Sequence, residues 1–340
     1  MSALGLHLKS NGFSAVEIEL NKKEKVLKNS GDYEIPNFSL NIDEPKSLET
    51  YTNALKEFLF DKNFESKDVI ASLPQNQVFV RTIKVPQMNK KDLDNFIKYE
   101  SAQYIPLPLE DITLGYDIMN LNLKEKDKIS VLLVAAKKTI VQKYINIVKN
   151  AGLKVRALEP VSLAMVRSLG EGGRAHSAEL IVEIGTEQTL IVLAYKGFVI
   201  LTRDILLGEE TFARDLAQKM ELDLTQAREY INTYGLDRTK VGGKVYESLS
   251  PLFNKIIDEI KKSKVFFSTR NPMVKINKII VSGESALMPG LLIYMVNNFD
   301  VEVVLANPWI KLNLPTSQQG NIQQKGPVFS VAVGLALKAS

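Results

Sequence analysis

Apolar and polar residues follow one another in short blocks along residues 179–207, ELIVEIGTEQTLIVLAYKGFVILTRDILL. Three runs rich in Val, Ile and Leu are separated by a polar loop at 185–188 and by the turn Lys196–Gly197. Short apolar runs with glycine at the breaks favour β-strands over helices. The pattern therefore predicts a three-stranded meander whose first loop, GTEQ, presents backbone N–H groups to an anion. A hairpin that binds nothing has the same pattern.

The same order of blocks occurs near the start of the chain. Residues 5–20, GLHLKSNGFSAVEIEL, give an apolar run, a polar loop at 9–12 and an alternating run from Phe13. One such hairpin opens each half of the chain, which indicates an internal duplication.

The rest of the chain is divided into further elements by the same periodicities. Helices are predicted at 45–60, 89–104, 140–148, 159–169, 209–220, 225–234, 248–268, 289–298 and 327–338. Strands are predicted at 25–28, 69–73, 78–85, 112–119, 129–135, 276–282 and 301–305, and loops at 124–128, 170–176 and 314–325. Prolines at 106 and 108 end the helix that precedes them.

Length and apolar content place the chain among soluble globular proteins. Its 340 residues are enough for two domains or four small subdomains, and 45% of them are hydrophobic. No apolar run reaches the roughly 18 residues that cross a bilayer, and the first residues lack the features of a signal peptide. The sequence therefore predicts a cytoplasmic protein that reaches a membrane only through a partner.

Residue usage excludes several kinds of chemistry. The chain has no cysteine and two histidines, which excludes disulfides, thiolate nucleophiles, cysteine-based zinc sites and multi-histidine metal sites. The formal net charge is +4, but the lysines are spread along the chain among acidic residues. No cationic and aromatic platform for nucleic acid is visible, so no nucleic-acid partner is predicted.

Residues 77–112, QVFVRTIKVPQMNKKDLDNFIKYESAQYIPLPLEDI, resemble the signature of the PilM family, actin-like proteins of type IV pilus assembly. Further blocks match in order along the chain: 131–160, VEIGTEQT at 182–189, SGESALMPGL at 282–291, ANPW at 306–309 and GPVFSVAVGLALK at 326–338. The two hairpins likewise resemble the wider actin, Hsp70 and sugar-kinase superfamily. The cytoplasmic domain of the type II secretion protein GspL is similar in architecture and is the competing assignment.

This resemblance implies an α/β fold of the actin-like type, in which duplicated ribonuclease H-like halves form two lobes. It implies a first actin-like subdomain of residues 1–81 and 151–176, interrupted by a small α+β subdomain of 82–150. A second actin-like subdomain is implied for 177–208 and 270–340, interrupted by a helical insert of 209–269.

The resemblance also implies a partner. Family members capture the N-terminal cytoplasmic tail of PilN, a bitopic inner-membrane protein, and work with other inner-membrane and motor components of the pilus. The inserted subdomain is expected to supply part of the groove, through Arg81, Glu100, Tyr104, Ile105, Pro106 and Pro108. Residues 104–108 have two interpretations, a helix stop with core packing or direct contact with the tail.

A nucleotide site at the facing loops is implied as well. Its matched positions are Lys9, Ser10, Asn11, Gly12, Gly185, Thr186, Gln188, Thr189, Gly208, Glu259, Gly283, Glu284 and Ser285, and the candidate catalytic or Mg²⁺-holding acids are Glu159 and Glu183. His7 and Lys9 stand where the family has Asp and Gly, and Glu209 and Glu284 replace the second glycine of a pair. Neutral imidazole is a poor Mg²⁺ ligand, and side chains add bulk where a nucleotide approaches the backbone.

These departures lead to the hypothesis of a pseudo-ATPase that keeps the fold and a scaffold role, with ATP and Mg²⁺ as the only cofactors in question. The alternative is a divergent ATPase in which Glu183 holds Mg²⁺ and Lys9 contacts phosphate. A sugar-kinase relative would need a catalytic Asp in the second hairpin, where the chain has Glu183 and Glu187. A filament-forming protein is also compatible with the fold, because fold alone does not fix function.

Overall fold

The computed structural model describes residues 2–20, 24–119, 127–171, 177–315 and 319–339. Its strands are β1 (Ser2–Leu8), β2 (Gly12–Leu20), β3 (Lys25–Glu34), β4 (Asp68–Leu73), β5 (Val78–Pro86), β6 (Ile112–Met119), β7 (Lys128–Lys137), β8 (Lys154–Pro160), β9 (Ser177–Ile184), β10 (Thr189–Tyr195), β11 (Phe198–Ile205), β12 (Lys275–Ser282) and β13 (Glu302–Leu305). Its helices are α1 (Pro45–Asp61), α2 (Lys90–Glu100), α3 (Lys138–Asn150), α4 (Val161–Leu169), α5 (Glu209–Met220), α6 (Leu224–Tyr234), α7 (Lys244–Arg270), α8 (Leu291–Val296), α9 (Gln319–Gln324) and α10 (Gly326–Lys338).

Two five-stranded sheets have the same strand arrangement, and each forms the centre of one lobe. Their orders are β3-β2-β1-β4-β8 and β11-β10-β9-β12-β13. In each sheet an antiparallel hairpin is followed by two strands that run parallel to its first strand. The two hairpins that the sequence pattern singled out therefore occupy equivalent places, which confirms the duplication.

A third sheet, of order β5-β7-β6, is antiparallel and lies in the chain between β4 and β8. Its β7 strand supplies Val131 and Leu133 to a small core with Leu93 and Ile97 of α2. Helix α2 begins at an Asn89 cap whose side chain accepts a hydrogen bond from the Asp92 amide. The sheet and its helix form the small α+β unit within the first lobe.

Helices α5, α6 and α7 pack in one core with the second five-stranded sheet. Phe212 of α5 stacks on Phe253 of α7, with ring centroids 4.7 Å apart. Among the described residues, no helix is both long and apolar enough to cross a bilayer.

Helix α10 packs against the first five-stranded sheet, although residues 270–340 were assigned from the sequence to the second subdomain. Its Ala332 and Val333 share a core with Ala3, Val16 and Ile18. A Cβ on Gly5 of β1 would lie 2.1 Å from the Ala332 carbonyl oxygen, so glycine permits this contact. The helix is buried over almost its whole length, and an element that is apolar all round requires cover from several sides.

Several element boundaries differ from those predicted. Glu159 belongs to strand β8 and lies opposite Ser72 of β4 rather than in the predicted helix, because a residue before proline is disfavoured in the helical conformation. Strand β3 continues to Glu34, and α8 begins two residues later than predicted, at Leu291. Within the predicted loop 314–325, residues 319–324 are helical. The predicted loops 124–128 and 170–176 lie largely outside the described residues.

Candidate functional site

The loops of the two equivalent hairpins meet at the cleft between the lobes. The first loop joins β1 to β2, and the second joins β9 to β10. Thr186 Oγ1 of the second loop donates a hydrogen bond of 3.0 Å to Asn11 Oδ1 of the first, and both residues are buried. The two loops are therefore bonded directly to each other at the place where the family resemblance expects phosphates.

Two further polar contacts close the same cleft. Lys9 Nζ forms a 2.8 Å ion pair with Glu284 Oε1, which follows β12 in the second lobe. Ser39 Oγ donates a 2.8 Å hydrogen bond to Glu187 Oε1 at the outer edge. Polar side chains of one lobe are thus bonded to polar side chains of the other, and a ligand would have to displace these contacts.

The space left between the lobes is a cavity of about 160 Å³. Binding sites for drug-sized ligands occupy roughly 300–1,000 Å³, so this cavity is too small for a nucleotide. It is lined by His7, Leu8, Lys9, Ser10, Leu40, Ile42, Pro74, Gln75, Asn76, Gln77, Tyr144, Val161, Glu183, Gly185, Thr186, Glu187, Gln188 and Glu284.

Burial controls the charges in this cavity. It raises the pKa of Glu183 to about 8, with the Glu284 carboxylate adding to the effect and Lys9 opposing it. It lowers the pKa of His7 to about 4, and His7 Nδ1 has no hydrogen-bond partner within the described residues. Burial opposes the charge on Glu284 too, but its ion pair with Lys9 prevails and lowers its pKa. At neutral pH, Glu183 and His7 are uncharged and Lys9 is neutralised by Glu284.

Several backbone N–H groups of the two loops and of the start of α5 donate to carbonyls within the protein. The Gly185 amide donates to the Gln188 carbonyl at 3.0 Å, and the Lys9 amide donates to the Gly12 carbonyl at 2.9 Å. At the start of α5, the amides of Glu209 and Glu210 donate to carbonyls of the second loop at 3.1 and 2.9 Å. A helix N-terminus binds anions through free amides, and here loop carbonyls occupy them.

Gly208 and Gly283 of the predicted site lie where the protein's own backbone leaves no room for a side chain. A Cβ on Gly208 would lie 2.6 Å from the Gly185 and Thr186 carbonyl oxygens. Gly283 has φ +91°, and its Cβ would lie 2.4 Å from the Ile184 carbonyl oxygen. Close packing of the cleft loops therefore accounts for both glycines without a ligand.

Mg²⁺–ATP does not fit the residues present. Burial in the closed cleft raises the pKa of Glu183 to about 8, whereas Mg²⁺ prefers ionised carboxylate or carbonyl oxygens, so Glu183 would have to lose its proton to hold the ion. Within the described part of the chain, no cluster of three or more His, Asp or Glu residues is arranged to hold a metal ion. The small cavity and the amides bonded to loop carbonyls describe a closed cleft, in which a phosphate group would have to displace contacts within the protein.

The structure brings most of the predicted nucleotide residues together and separates two of them. Glu159 forms ion pairs with Arg167 and Lys338, and Glu259 forms ion pairs with Arg203 and Lys262. Neither acid lines the cavity. Those that line it are Lys9, Ser10, Glu183, Gly185, Thr186, Gln188 and Glu284, and those adjoining it are Asn11, Gly12, Thr189, Gly208, Gly283 and Ser285.

The sequence did not predict the cleft residues that lie outside the matched motifs. Gln75, Tyr144, Leu40 and Ile42 line the cavity, although the sequence placed none of them near a loop. The Tyr51 hydroxyl donates to the Lys9 carbonyl at 2.6 Å, so helix α1 supports the first loop through this hydrogen bond. Tyr51 belongs to the predicted apolar face of α1, but nothing in that pattern shows where its hydroxyl points.

An apolar groove of about 460 Å³ separates the three-stranded sheet from the edge of the first five-stranded sheet. Strand β8 lines one side and β6 the other, and each is an edge strand of its sheet. Helix α3 and strand β7 supply Val141, Ile145, Val134 and Ala136. The remaining lining residues are Leu73, Val78, Thr113, Leu114, Gly115, Lys149, Val155, Arg156, Ala157, Leu158 and Pro160.

The residues predicted for the partner groove lie beside this groove rather than in its lining. Ile105 is buried and packs in a small cluster with Ala135 and, at its edge, Leu114. Tyr104 packs on the α2 core, and its carbonyl accepts a 3.4 Å hydrogen bond from Arg81. Glu100 accepts from Gln103 at the end of α2. Pro106 and Pro108 follow Ile105 in the same segment.

Replacing Glu183 by Gln is expected to change how stability depends on pH. The carboxyl has its pKa raised from 4.5 to about 8. The stability that its protonated form contributes is complete below about pH 4.5 and is lost as pH rises towards 8, because only the unfolded chain then ionises freely. Gln cannot ionise, so we expect the melting temperature of Glu183→Gln relative to the native protein to rise by about 2 °C or more between pH 5 and pH 9.

The control is Glu187→Gln, which changes an exposed carboxylate in the same loop. Its melting temperature should differ from that of the native protein by the same amount at both pH values. A Glu183→Gln difference that is also flat with pH would mean that Glu183 is ionised in the folded cleft.

Comparisons with known proteins agree on the fold. A family model described as type IV pilus assembly protein PilM matches residues 5–340. A structure of a PilM–PilN type IV pilus biogenesis complex has a TM-score of 0.83 at 24% identity, covering 99% of this chain and 98% of that chain. EutJ from Carboxydothermus hydrogenoformans, an ethanolamine utilization protein, has a TM-score of 0.58 at 13% identity, covering 99% and 89%. MreB 5 of Spiroplasma citri bound to AMPPNP has a TM-score of 0.52 at 12% identity, covering 98% and 94%. With the duplicated sheets, these matches confirm the predicted actin-like fold.

Proposed function

Because the chain belongs to the family of the type IV pilus assembly protein PilM, we propose that it is a cytoplasmic scaffold of a type IV pilus or a related competence or secretion machine. In this role it captures the N-terminal cytoplasmic tail of a PilN-like inner-membrane protein and so lies at the membrane through that partner. A similar structure is that of a PilM–PilN complex, which supports a partner of this kind. Other inner-membrane and motor components would bind the same scaffold.

The apolar groove between β6 and β8 is the observation that carries the proposal. Its floor is formed by aliphatic side chains such as Val134, Val141 and Ile145. Both flanking strands present an unpaired edge, since β8 pairs with β4 and β6 pairs with β7 within the described residues. An extended peptide can add its backbone to such an edge and place alternate side chains on an apolar floor. This groove is therefore our candidate for the tail site.

The closed cleft supports a scaffold without ATP hydrolysis. Lys9–Glu284 and Thr186–Asn11 connect the lobes across a cavity smaller than a nucleotide. The competing function is a divergent ATPase, and one observation favours it: Lys9 and Glu183 line the same cavity, as phosphate and Mg²⁺ contacts would. That function requires the cleft to open and Glu183 to lose its proton.

Calorimetry on the full chain tests both parts separately. We expect a synthetic peptide with the N-terminal sequence of a PilN-like protein to bind with micromolar affinity. We expect no heat of binding from ATP up to about 1 mM, with or without Mg²⁺, equivalent to less than about 4 kcal/mol of binding free energy. Peptide binding in the same sample is the control for a competent protein. Micromolar ATP binding would contradict the pseudo-ATPase hypothesis. A folded protein that does not bind the peptide would contradict the scaffold hypothesis.

A further inference from the structure

Residues 261–275, KKSKVFFSTRNPMVK, are a strongly cationic stretch where the chain passes from the helical part of the second lobe back to its sheet. They comprise the last turns of α7 and the connection to β12, and we call them the α7 corner. The stretch has five cationic residues and no acidic one, so its formal charge is +5 against +4 for the whole chain. The stretch is therefore a local excess of positive charge.

The same corner exposes large apolar side chains. Val265, Phe266 and Met273 are 65%, 43% and 88% exposed. Single exposed apolar residues are common on protein surfaces, but three within nine positions of one corner are unusual. Val265 and Phe266 lie outside the core because the opposite face of α7, which carries Ser263 and Phe267, is the buried face.

Helical spacing places cations on both sides of these apolar groups. Phe266 is four residues from Lys262 and four from Arg270, so the three side chains share one face of α7. The Arg270 guanidinium lies 3.7 Å from the centre of the Phe266 ring. Val265 follows Lys261 by four residues on the neighbouring strip. The corner is thus an apolar patch bordered by positive charge.

Nearby acids neutralise only part of this charge. Glu259 pairs with Lys262, and Asp300 pairs with Lys264. Lys261, Arg270 and Lys275 form no ion pair with a carboxylate within the described ranges, so their charge is directed to solvent.

We propose that the α7 corner docks directly on an anionic lipid surface. Lys261, Arg270 and Lys275 would attract the headgroups, and Phe266, Val265 and Met273 would enter the interface. Interfacial binding combines buried apolar area with electrostatic attraction to anionic lipids, which matches both properties of the corner. Nucleic acid would use the cations but leave the apolar side chains in water, so lipid is the better match. This adds a direct membrane contact to the partner-mediated one and does not depend on tail capture.

Co-sedimentation of the full chain with vesicles tests the proposal. We expect binding to vesicles of phosphatidylcholine with 30% phosphatidylglycerol, which weakens as salt is raised, and little binding to pure phosphatidylcholine. Arg270→Glu with Lys275→Glu should reduce the bound fraction by about tenfold or more, because each cation near an anionic surface contributes separately. Lys90→Glu with Lys91→Glu makes the same charge change on α2, where both lysines are exposed, and should leave binding nearly unchanged.

The apolar part has its own test. Phe266→Ser with Met273→Ser should also reduce binding several-fold, and Met273→Trp should show a blue-shifted emission on anionic vesicles while the buried Trp309 stays constant. Equal sedimentation with neutral and anionic vesicles would overturn the proposal. So would full binding by the serine variant, or an equal loss in the α2 control. Binding of duplex DNA through the same residues in preference to vesicles would assign the corner to nucleic acid instead.

Discussion

Gly115→Trp is expected to abolish capture of the tail peptide, weakening binding by at least about 100-fold, or ~2.8 kcal/mol. Gly115 lies on β6 opposite Val134, and both residues line the apolar groove. A Cβ at this position meets no atom within 4 Å, so a side chain can be added without a clash. An indole ring would occupy the space that the peptide needs, while the fold is kept. Calorimetry with the peptide measures the loss.

Two controls make this result specific to the groove. Glu49→Trp adds the same side chain to an exposed position on α1, away from the groove, and should bind the peptide like the native protein. The melting temperature of Gly115→Trp should stay close to the native value, since the new side chain projects into open space. A folded Gly115→Trp protein with native peptide affinity would place the tail elsewhere, and the segment around Tyr104 would become the leading candidate.

Arg167→Ala is expected to destabilise the protein by about 3 kcal/mol or more. Nη1 and Nη2 of the Arg167 guanidinium each donate to Glu159 at 2.6 Å, and Nη1 also donates to the Gly334 carbonyl at 2.9 Å. Glu159 is 2% exposed, so removal of Arg167 leaves a buried carboxylate whose remaining ion-pair partner within the described residues is Lys338. The cost arises mainly because the buried carboxylate loses both of its guanidinium hydrogen bonds and keeps Lys338 as a single cationic partner. Urea unfolding of the full chain measures it.

The matched control removes an arginine from an exposed pair. Arg156 and Asp68 form a 2.6 Å ion pair in which the side chains are 54% and 42% exposed, so Arg156→Ala should cost less than about 1 kcal/mol. Arg167→Met combined with Glu159→Leu removes both charges and should recover much of the stability. If Arg167→Ala unfolds like the native protein, the cluster does not hold β8, α4 and α10 together.

Local chemistry allowed the hairpins, the inserted sheet and most helices to be predicted from the sequence. The Gly185–Gln188 loop is bounded by short apolar runs that favour strands, and Asn89 with Asp92 marks the start of α2. The position of the cleft at the two facing loops was implied by the family resemblance. These features depend on residues close together in the chain, where periodicity and capping are informative.

What the sequence did not reveal depends on distant pairs. Lys9 and Glu284 are 275 positions apart, and neither pattern indicates that the two would neutralise each other. From the sequence, Lys9 is a candidate phosphate ligand and Glu284 an obstacle to the nucleotide. The structure makes them one ion pair that closes the cleft. Glu159 matched a family acid by position, but the sequence could not show that Arg167 and Lys338 occupy it.

The position of α10 has a consequence for how the protein is made. The apolar face formed by Ala3, Val16 and Ile18 is covered by a helix that begins more than three hundred residues later, at Gly326. At about 5–20 residues per second, a ribosome needs roughly 15–60 s to make the intervening chain. Throughout that time the first sheet is uncovered, whereas the second lobe has all of its own strands before α10 emerges. We therefore expect the nascent first lobe to be the part that chaperones shield during translation.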